Sequence, residues 1–75
     1  MAKPRRSFAV CVRNDGYEVS LELRKIYEVV PDKVATRHRQ VRVIDESGED
    51  YLFPASWFAT LELPGPTRRA VLAAV

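Results

Sequence analysis

The sequence predicts an all-β fold, a small antiparallel barrel of five or six strands. Short runs of alternating apolar and polar residues recur along the chain, and turn residues separate them about every 8–12 residues. No long stretch shows a convincing helical pattern. A closed barrel suits so short a chain because closure removes the exposed edges of a sheet.

Length and composition limit what the chain can do. Its 75 residues suffice for one domain with a small core. A chain that is 47% hydrophobic and 29% charged is too apolar to be disordered and too charged to span a membrane. The single Cys and single His exclude a disulfide framework and a His/Cys metal cluster within one chain, so we expect no cofactor. An unpaired cysteine also favours a cytoplasmic location.

The N-terminal part predicts a basic arm and a first strand. Residues 1–7 contain Pro4 and charged side chains that have nothing to bury, so we expect a flexible arm. From Phe8 the residues alternate with period two, and the run ends at the turn sequence Asn14-Asp15-Gly16. We therefore place the start of a single barrel domain, residues 8–63, at this strand.

The next segment is ambiguous between strand and helix. Residues 17–23 alternate without a fault, but a helical stripe of apolar residues also runs through residues 17–30. The lack of Ala and the many Val, Ile and Tyr residues disfavour a helix. We predict an extended loop or strand over 17–23, a tight turn near Arg24-Lys25 and a strand over 26–30.

A hairpin is the clearest local unit in the chain. Pro31 ends the preceding strand, and residues 32–39 form a polar, basic connection. Two alternating runs, residues 40–45 and 50–53, then flank a short turn in which Gly48 supplies the positive φ.

The C-terminal third predicts a short turn, a last strand and a tail. Residues 54–57 are long enough for one 3₁₀ turn only. Alternating apolar residues over 59–63 predict the last strand, which a Pro-Gly-Pro sequence closes. Residues 64–75 are a tail or a short helix that begins after Pro66 and is marginal alone.

Two segments resemble parts of Src-homology-3 barrels. Residues 51–58, with the sequence YLFPASWF, are similar to that family's signature of strand, 3₁₀ turn and last strand. Residues 21–29, with the sequence LELRKIYEV, are similar to its diverging turn and following strand. The hairpin of residues 41–53 then corresponds to the family's distal hairpin. The resemblance covers about residues 8–63 and implies a Src-homology-3-like barrel.

The chain also resembles a group of small uncharacterised bacterial barrel proteins. The likeness rests on the Lys-x-Tyr-x-Val pattern at residues 25–29 and on the sequence IDESGEDY at residues 44–51. For that group the resemblance implies a fold and no established activity.

The family resemblance also suggests a binding surface. In peptide-binding Src-homology-3 domains, the Pro and Tyr of the signature line an aromatic groove that reads polyproline helices. Those positions are Pro54 and Trp57 here, and Ser56 stands where Asn is usual. The chain lacks the Ala-Leu-Tyr-Asp-Tyr stretch and the paired tryptophans of those domains, so the resemblance implies the fold and not the ligand.

We predict a non-enzymatic interaction module with a protein or peptide partner. The predicted contact surface joins an aromatic part with the basic loop 37–42. Its residues are Trp57, Pro54, Tyr17, Arg37, Arg39 and Arg42. Tyr51 and Phe53 are candidates for a stacking platform beside Trp57, whose position in the core or on the surface the sequence leaves open.

Two other functions remain as alternatives. Arg37, Arg39 and Arg42 together with the N-terminal arm could contact the phosphates of a nucleic acid, although the net charge is only +2. A homodimer could form through the apolar residues Val71, Leu72 and Val75 of the tail.

For the remaining reactive residues we expect structural roles and no chemistry. Cys11 alternates with Ala9 and is expected to behave as a small buried hydrophobe. His38 lies between two arginines with no acid beside it to orient it. The acidic residues of the hairpin tip have no cleft that would shift their pKa values, so we expect solvated charges. These residues are Asp45, Glu46, Glu49 and Asp50.

Overall fold

A computed structural model describes residues 7–74 as mostly β-structure, with one five-stranded antiparallel sheet. The strands are β1 (Ser7–Cys11), β2 (Ile26–Val30), β3 (Gln40–Ile44), β4 (Asp50–Pro54) and β5 (Phe58–Leu61). Two α-helices, α1 (Lys33–Arg37) and α2 (Gly65–Ala73), and a 3₁₀ turn (Ala55–Trp57) complete the fold.

The sheet is an open one in the part of the chain that the structure describes. Its strand order is β4-β3-β2-β1-β5, and each neighbouring pair is antiparallel. β4 and β5 form the two edges and do not pair with each other within residues 7–74. The prediction of five antiparallel strands is therefore confirmed.

Several local predictions are confirmed. The strand over 26–30 has the predicted bounds, and Arg24 adopts a φ of 67° in the tight turn before it. The hairpin turns at Gly48, whose φ is 85°. The 3₁₀ turn lies after Pro54, as predicted, and the tail forms helix α2, although it begins at Gly65 and not after Pro66. Each of these features depends on the conformational preference of a residue within the turn itself.

Two local predictions need correction. Residues 17–23 contain turns and no strand, because turn hydrogen bonds and two side-chain hydrogen bonds, rather than a neighbouring strand, satisfy most main-chain groups there. The polar connection 32–39 contains the short helix α1, which begins after Asp32. The Asp32 carboxylate accepts a hydrogen bond from the Ala35 N–H at 3.0 Å, and this N-cap stabilises a five-residue helix.

The two faces of the sheet are covered differently. The inner face carries the core, in which residues of four strands and of the segment between β1 and β2 are almost fully buried: Cys11, Leu21, Tyr27, Val43 and Phe53. The outer face carries Phe8, which is 3% exposed. The guanidinium of Arg68 on α2 lies 5.2 Å from the centre of its ring.

The structure describes only part of the predicted N-terminal arm and of the C-terminal tail. Residues 1–6 of the basic arm and Val75 of the predicted dimer contact lie outside the described residues, whereas Ser7 already belongs to β1. Within residues 7–74, no helix has the length and apolar character needed to cross a membrane.

Candidate functional site

An aromatic groove on the inner face is the strongest candidate for a functional site. The ring of Tyr17 meets two other rings edge-on, and its centroid lies 5.6 Å from that of Phe53 and 5.6 Å from that of Trp57. Phe53 and Trp57 stack on each other with their centroids 6.3 Å apart. Tyr17 remains 51% exposed and Phe53 is only 3% exposed, so the cluster has a buried base and an accessible top.

The groove has a volume of about 330 Å³ and runs from Tyr17 to the hairpin and β4. Tyr51 and Leu52 are 47% and 43% exposed there, so much of their apolar surface faces solvent. The lining residues are Tyr17, Ser20, Asp45, Ser47, Tyr51, Leu52 and Phe53. This is a mostly apolar depression with a few hydroxyl and carboxyl groups at one end, which is typical of a binding site.

The predicted aromatic residues are only partly brought together. Tyr17 and Trp57 are in ring contact, as a shared surface requires, and Trp57 is half-buried against the core. Pro54 is exposed at the end of β4, and neither Pro54 nor Trp57 is among the residues that line the groove in the described chain. Phe53, on the other hand, forms part of the core and of the groove.

The position of Tyr17 depends on a loop that is held at both ends. We call residues 12–25 the 12–25 loop. The side-chain amide of Asn14 donates to the Leu21 carbonyl oxygen at 2.9 Å, and the Leu21 N–H donates to the Tyr17 carbonyl oxygen at 2.8 Å. The fully buried Leu21 side chain anchors the loop in the core. Hydrogen bonds within the loop and the burial of Leu21 therefore hold it in place.

A polar cluster connects this loop to the hairpin. The buried Tyr27 hydroxyl accepts a hydrogen bond from the Glu22 N–H at 2.7 Å and donates one to the Glu46 carboxylate. Lys25 Nζ lies 2.6 Å from Glu46 Oε2, and the Glu46 N–H donates to the Ser20 carbonyl oxygen at 3.1 Å. Two sides of the groove are therefore cross-linked by hydrogen bonds.

The contacts within this cluster shift the pKa values of Tyr27 and Glu46. Burial, followed by the hydrogen bond to Glu46, raises the pKa of Tyr27 well above its ordinary value. The Lys25 ammonium, followed by the Tyr27 hydroxyl, lowers the pKa of the Glu46 carboxyl group. The folded chain thus favours a neutral tyrosine and an ionised glutamate at this position.

The prediction that the hairpin tip carries only solvated charges is wrong. Asp45 is 8% exposed, and its carboxylate accepts hydrogen bonds from the N–H and the hydroxyl of Ser47. Glu49 accepts a hydrogen bond from the Tyr51 hydroxyl at 2.7 Å, which raises the pKa of that tyrosine. These carboxylates shape the turn because Asp and Ser side chains readily bond to nearby main-chain groups.

The basic residues do not form the single loop that the sequence predicts. Arg37 ends α1, Arg39 lies in the following turn with a φ of 56°, and Arg42 belongs to β3. The Arg42 guanidinium lies between two carboxylates, with Nε 2.9 Å from Asp32 Oδ2 and Nη1 3.0 Å from Asp50 Oδ2. The Ala35 N–H and then Arg42 lower the pKa of Asp32. The charge of Arg42 is therefore matched within the fold.

Cys11 and His38 lie away from the groove. The Cys11 side chain is fully buried, and burial raises the pKa of its thiol, as expected for a small core hydrophobe. His38 is exposed and forms the C-cap of α1. Within residues 7–74 no three side chains of the His, Cys, Asp or Glu type are grouped as a metal site would require.

Sequence reasoning missed the cluster that orders the groove. Period-two spacing puts Lys25 and Tyr27 on one side of the chain, so the sequence did carry a signal for two of the three side chains in the cluster. The third member, Glu46, comes from the hairpin, and no local pattern connects it to the other two.

Comparison with known proteins adds no relative to this picture. No protein-family model, curated protein or solved structure matches the chain. The functional argument therefore depends on the geometry of the groove and on the charges around it.

Proposed function

We propose that the protein is a non-enzymatic interaction module that binds a peptide segment of a partner protein in the aromatic groove. The observation that carries this proposal is the state of Tyr17. Its ring is half-exposed, yet Phe53 and Trp57 hold it from below, and the 12–25 loop is fixed by its own hydrogen bonds.

An exposed and immobilised aromatic ring is well suited to binding. Tyrosine offers a large apolar area with few rotatable bonds, so little conformational entropy is lost when a ligand covers it. Such residues frequently contribute most of the binding energy of an interface. Tyr51 supplies a second ring of this kind across the groove, because its hydroxyl is bonded to Glu49.

We also propose that the fold is a Src-homology-3-like barrel. Three features support this assignment: the hairpin of β3 and β4, the 3₁₀ turn between β4 and β5, and the pairing of the last strand with the first. The N–H of Val12 donates to the Trp57 carbonyl oxygen at 2.7 Å, which ties the start of the 12–25 loop to the 3₁₀ turn. The groove between this loop and the hairpin is lined by neither Pro54 nor Trp57, so its assignment as a binding site comes from its own geometry and not from the family resemblance.

Binding of a nucleic acid has weaker support. Arg42 is matched by Asp32 and Asp50, and the other two arginines of the predicted patch lie on different elements. A cation that is already paired releases fewer counterions when it meets a phosphate, so it adds less to affinity.

The test is a comparison of two loop variants. Peptides are selected from a random 12-residue display library on the full chain, and their affinities are measured by isothermal titration calorimetry. We expect Tyr17→Ala to weaken binding by tenfold or more, as hot-spot aromatics do. We expect its stability in urea to change little, because the ring is half-exposed.

Val19→Ala is the matched control, because Val19 lies in the same loop and is 94% exposed. It should leave both affinity and stability unchanged. Equal affinity of the Tyr17→Ala variant and the unmodified chain would contradict the proposed function. So would the failure of the library to yield any peptide that binds in solution.

A further inference from the structure

The edge of β4 offers main-chain groups to a ligand. The Asp45 N–H donates to the Glu49 carbonyl oxygen at 3.0 Å, and the Ala55 N–H donates to the Arg39 carbonyl oxygen at 2.9 Å. Main-chain groups alternate in direction along a strand, so the groups of residues 51 and 53 are also directed at β3. Those of Asp50 and Leu52 are directed away from the sheet, whereas the Pro54 carbonyl group begins the 3₁₀ turn.

These outward groups have no other main-chain partner within residues 7–74. β4 pairs with β3 alone, and no turn or loop hydrogen bond of the described chain involves the main chain of Asp50 or Leu52. Leu52 is the central one and presents both an N–H and a carbonyl group. Its side chain is 43% exposed. An open strand edge of this kind is a template for an added strand.

The open edge is continuous with the aromatic groove. Tyr51, Leu52 and Phe53 all line the groove, and Tyr17 closes its far side. Side chains of a strand alternate between the two faces of a sheet. A segment that pairs with β4 would therefore direct every second side chain into the groove, between the rings of Tyr17 and Tyr51.

We propose that the bound segment adds to β4 as an antiparallel strand centred on Leu52. This inference rests on the proposed function, and it names the ligand as an extended peptide. The peptide residue opposite Leu52 exchanges two hydrogen bonds with it, so that residue is not proline. Its two neighbours face Tyr51 and Phe53, so both are apolar. The ligand thus carries two apolar side chains two residues apart.

The edge fits a foreign strand better than a second copy of β4. An antiparallel pair of β4 strands centred on Leu52 would place Pro54 of each copy opposite Asp50 of the other. Proline has no N–H, so each Asp50 carbonyl group would lose a donor. A peptide of free sequence has no such restriction, and it can turn away from the edge before it reaches Pro54.

N-methylation of the ligand tests this arrangement without altering the protein. Each amide of the best peptide selected from the 12-residue library is methylated in turn, and its affinity for the full chain is measured by calorimetry. We expect methylation at the residue opposite Leu52 to weaken binding about tenfold, as loss of a hydrogen bond does. Methylation at the residue on either side should have little effect, because those N–H groups face away from β4.

Leu52→Ala is the control on the protein, and it should retain the alternating pattern because the main chain is unchanged. If the selected peptides need Tyr17 but show no alternation, strand addition is wrong and groove binding stands. If the protein alone forms a dimer by sedimentation and Leu52→Pro abolishes it, the occupant is a second copy and the peptide proposal is overturned. If no peptide binds at all, the proposed function fails, and strand addition fails with it.

Discussion

In the aromatic groove, residues from two distant parts of the chain form one surface, whereas neighbouring residues of the basic segment 37–42 lie on different elements. Tyr17 is far from Phe53 and Trp57 in the chain, yet its ring contacts both of theirs and is half-exposed. Arg37 and Arg42 are close in the chain, yet one ends a helix and the other lies between two carboxylates. Nearness in sequence is therefore a poor guide to which residues share a binding surface in this molecule.

The difference has a physical cause. Apolar rings associate in any order along the chain because burial of apolar area is favourable and has no direction. Like charges gain nothing by association, and Arg42 instead pairs with the two carboxylates that the fold brings near it. Substitutions in the two regions should therefore have very different effects.

The base of the groove should be essential for folding. Phe53→Ala removes a ring that is 3% exposed and should lower the free energy of unfolding by about 3–5 kcal/mol. In so short a chain such a loss approaches the whole stability, so circular dichroism at 25 °C should show a largely unfolded protein. Leu52→Ala, on the same strand but 43% exposed, is the control and should remain folded. Equal urea midpoints for the two variants would show that the groove is not built on the core.

The cluster that holds the 12–25 loop should have a smaller but clear effect. Tyr27→Phe removes the hydroxyl that bonds to the Glu22 N–H and to Glu46, and should cost about 1–3 kcal/mol, measured by urea unfolding. Tyr51→Phe is the matched control, because that hydroxyl bonds only to an exposed glutamate in the described chain. A loss from Tyr51→Phe as large as that from Tyr27→Phe would contradict the structural role of the cluster.

The Tyr27–Glu46 pair and the Asp32 carboxylate should make the free energy of unfolding depend on pH, both in acid and in alkali. The pKa of Glu46 and that of Asp32 are lowered in the folded state, so the unfolded chain binds more protons in acid. Their stabilising effect is complete above the ordinary carboxyl pKa of about 4 and is lost as the pH falls through the folded values. The pKa of Tyr27 is raised, so its effect is complete below about pH 10 and is lost at higher pH.

Urea midpoints at pH 7, 4 and 3 check the acid limb of this dependence. Glu46→Gln should be less stable than the unmodified chain at pH 7, and the difference should shrink towards pH 3. Glu62→Gln, a change at an exposed position after β5, is the control and should follow the unmodified chain. A constant difference between Glu46→Gln and the unmodified chain at all three pH values would rule out the Glu46 interactions as its cause.

The basic segment should show the smallest effects. Arg42→Gln leaves Asp32 and Asp50 without their cation, so it should lower the urea midpoint slightly at low ionic strength. The decrease should be smaller at 0.5 M salt, where charges are screened. Arg37→Gln is the control and should change neither midpoint. Equal effects of the two variants would mean that Arg42 is not paired in solution.

Local signals in the sequence were sufficient for much of the fold. The hairpin turn at Gly48, the 3₁₀ turn after Pro54 and the strand at 26–30 all follow from residues within a few positions of each other. The alternation of apolar and polar residues over 17–23 wrongly indicated a strand. The same alternation occurs in this turn-rich loop, where the Asn14 side chain donates a hydrogen bond to a main-chain carbonyl group. Helix α1 was missed because five residues are too few to show a helical period, and a cap stabilises them.

The sequence by itself determined the turns, most strands and the existence of an aromatic segment, because φ preferences and period-two patterns act over a few residues. Only the tertiary structure decided that Tyr17 joins Trp57, that Glu46 meets Tyr27, and that Arg42 is neutralised. The first two contacts connect segments that are remote in the chain, and the third joins Arg42 to the N-cap of α1 and to the facing strand β4. Their partners are selected by burial and charge once the sheet has formed, and no local pattern carries that information.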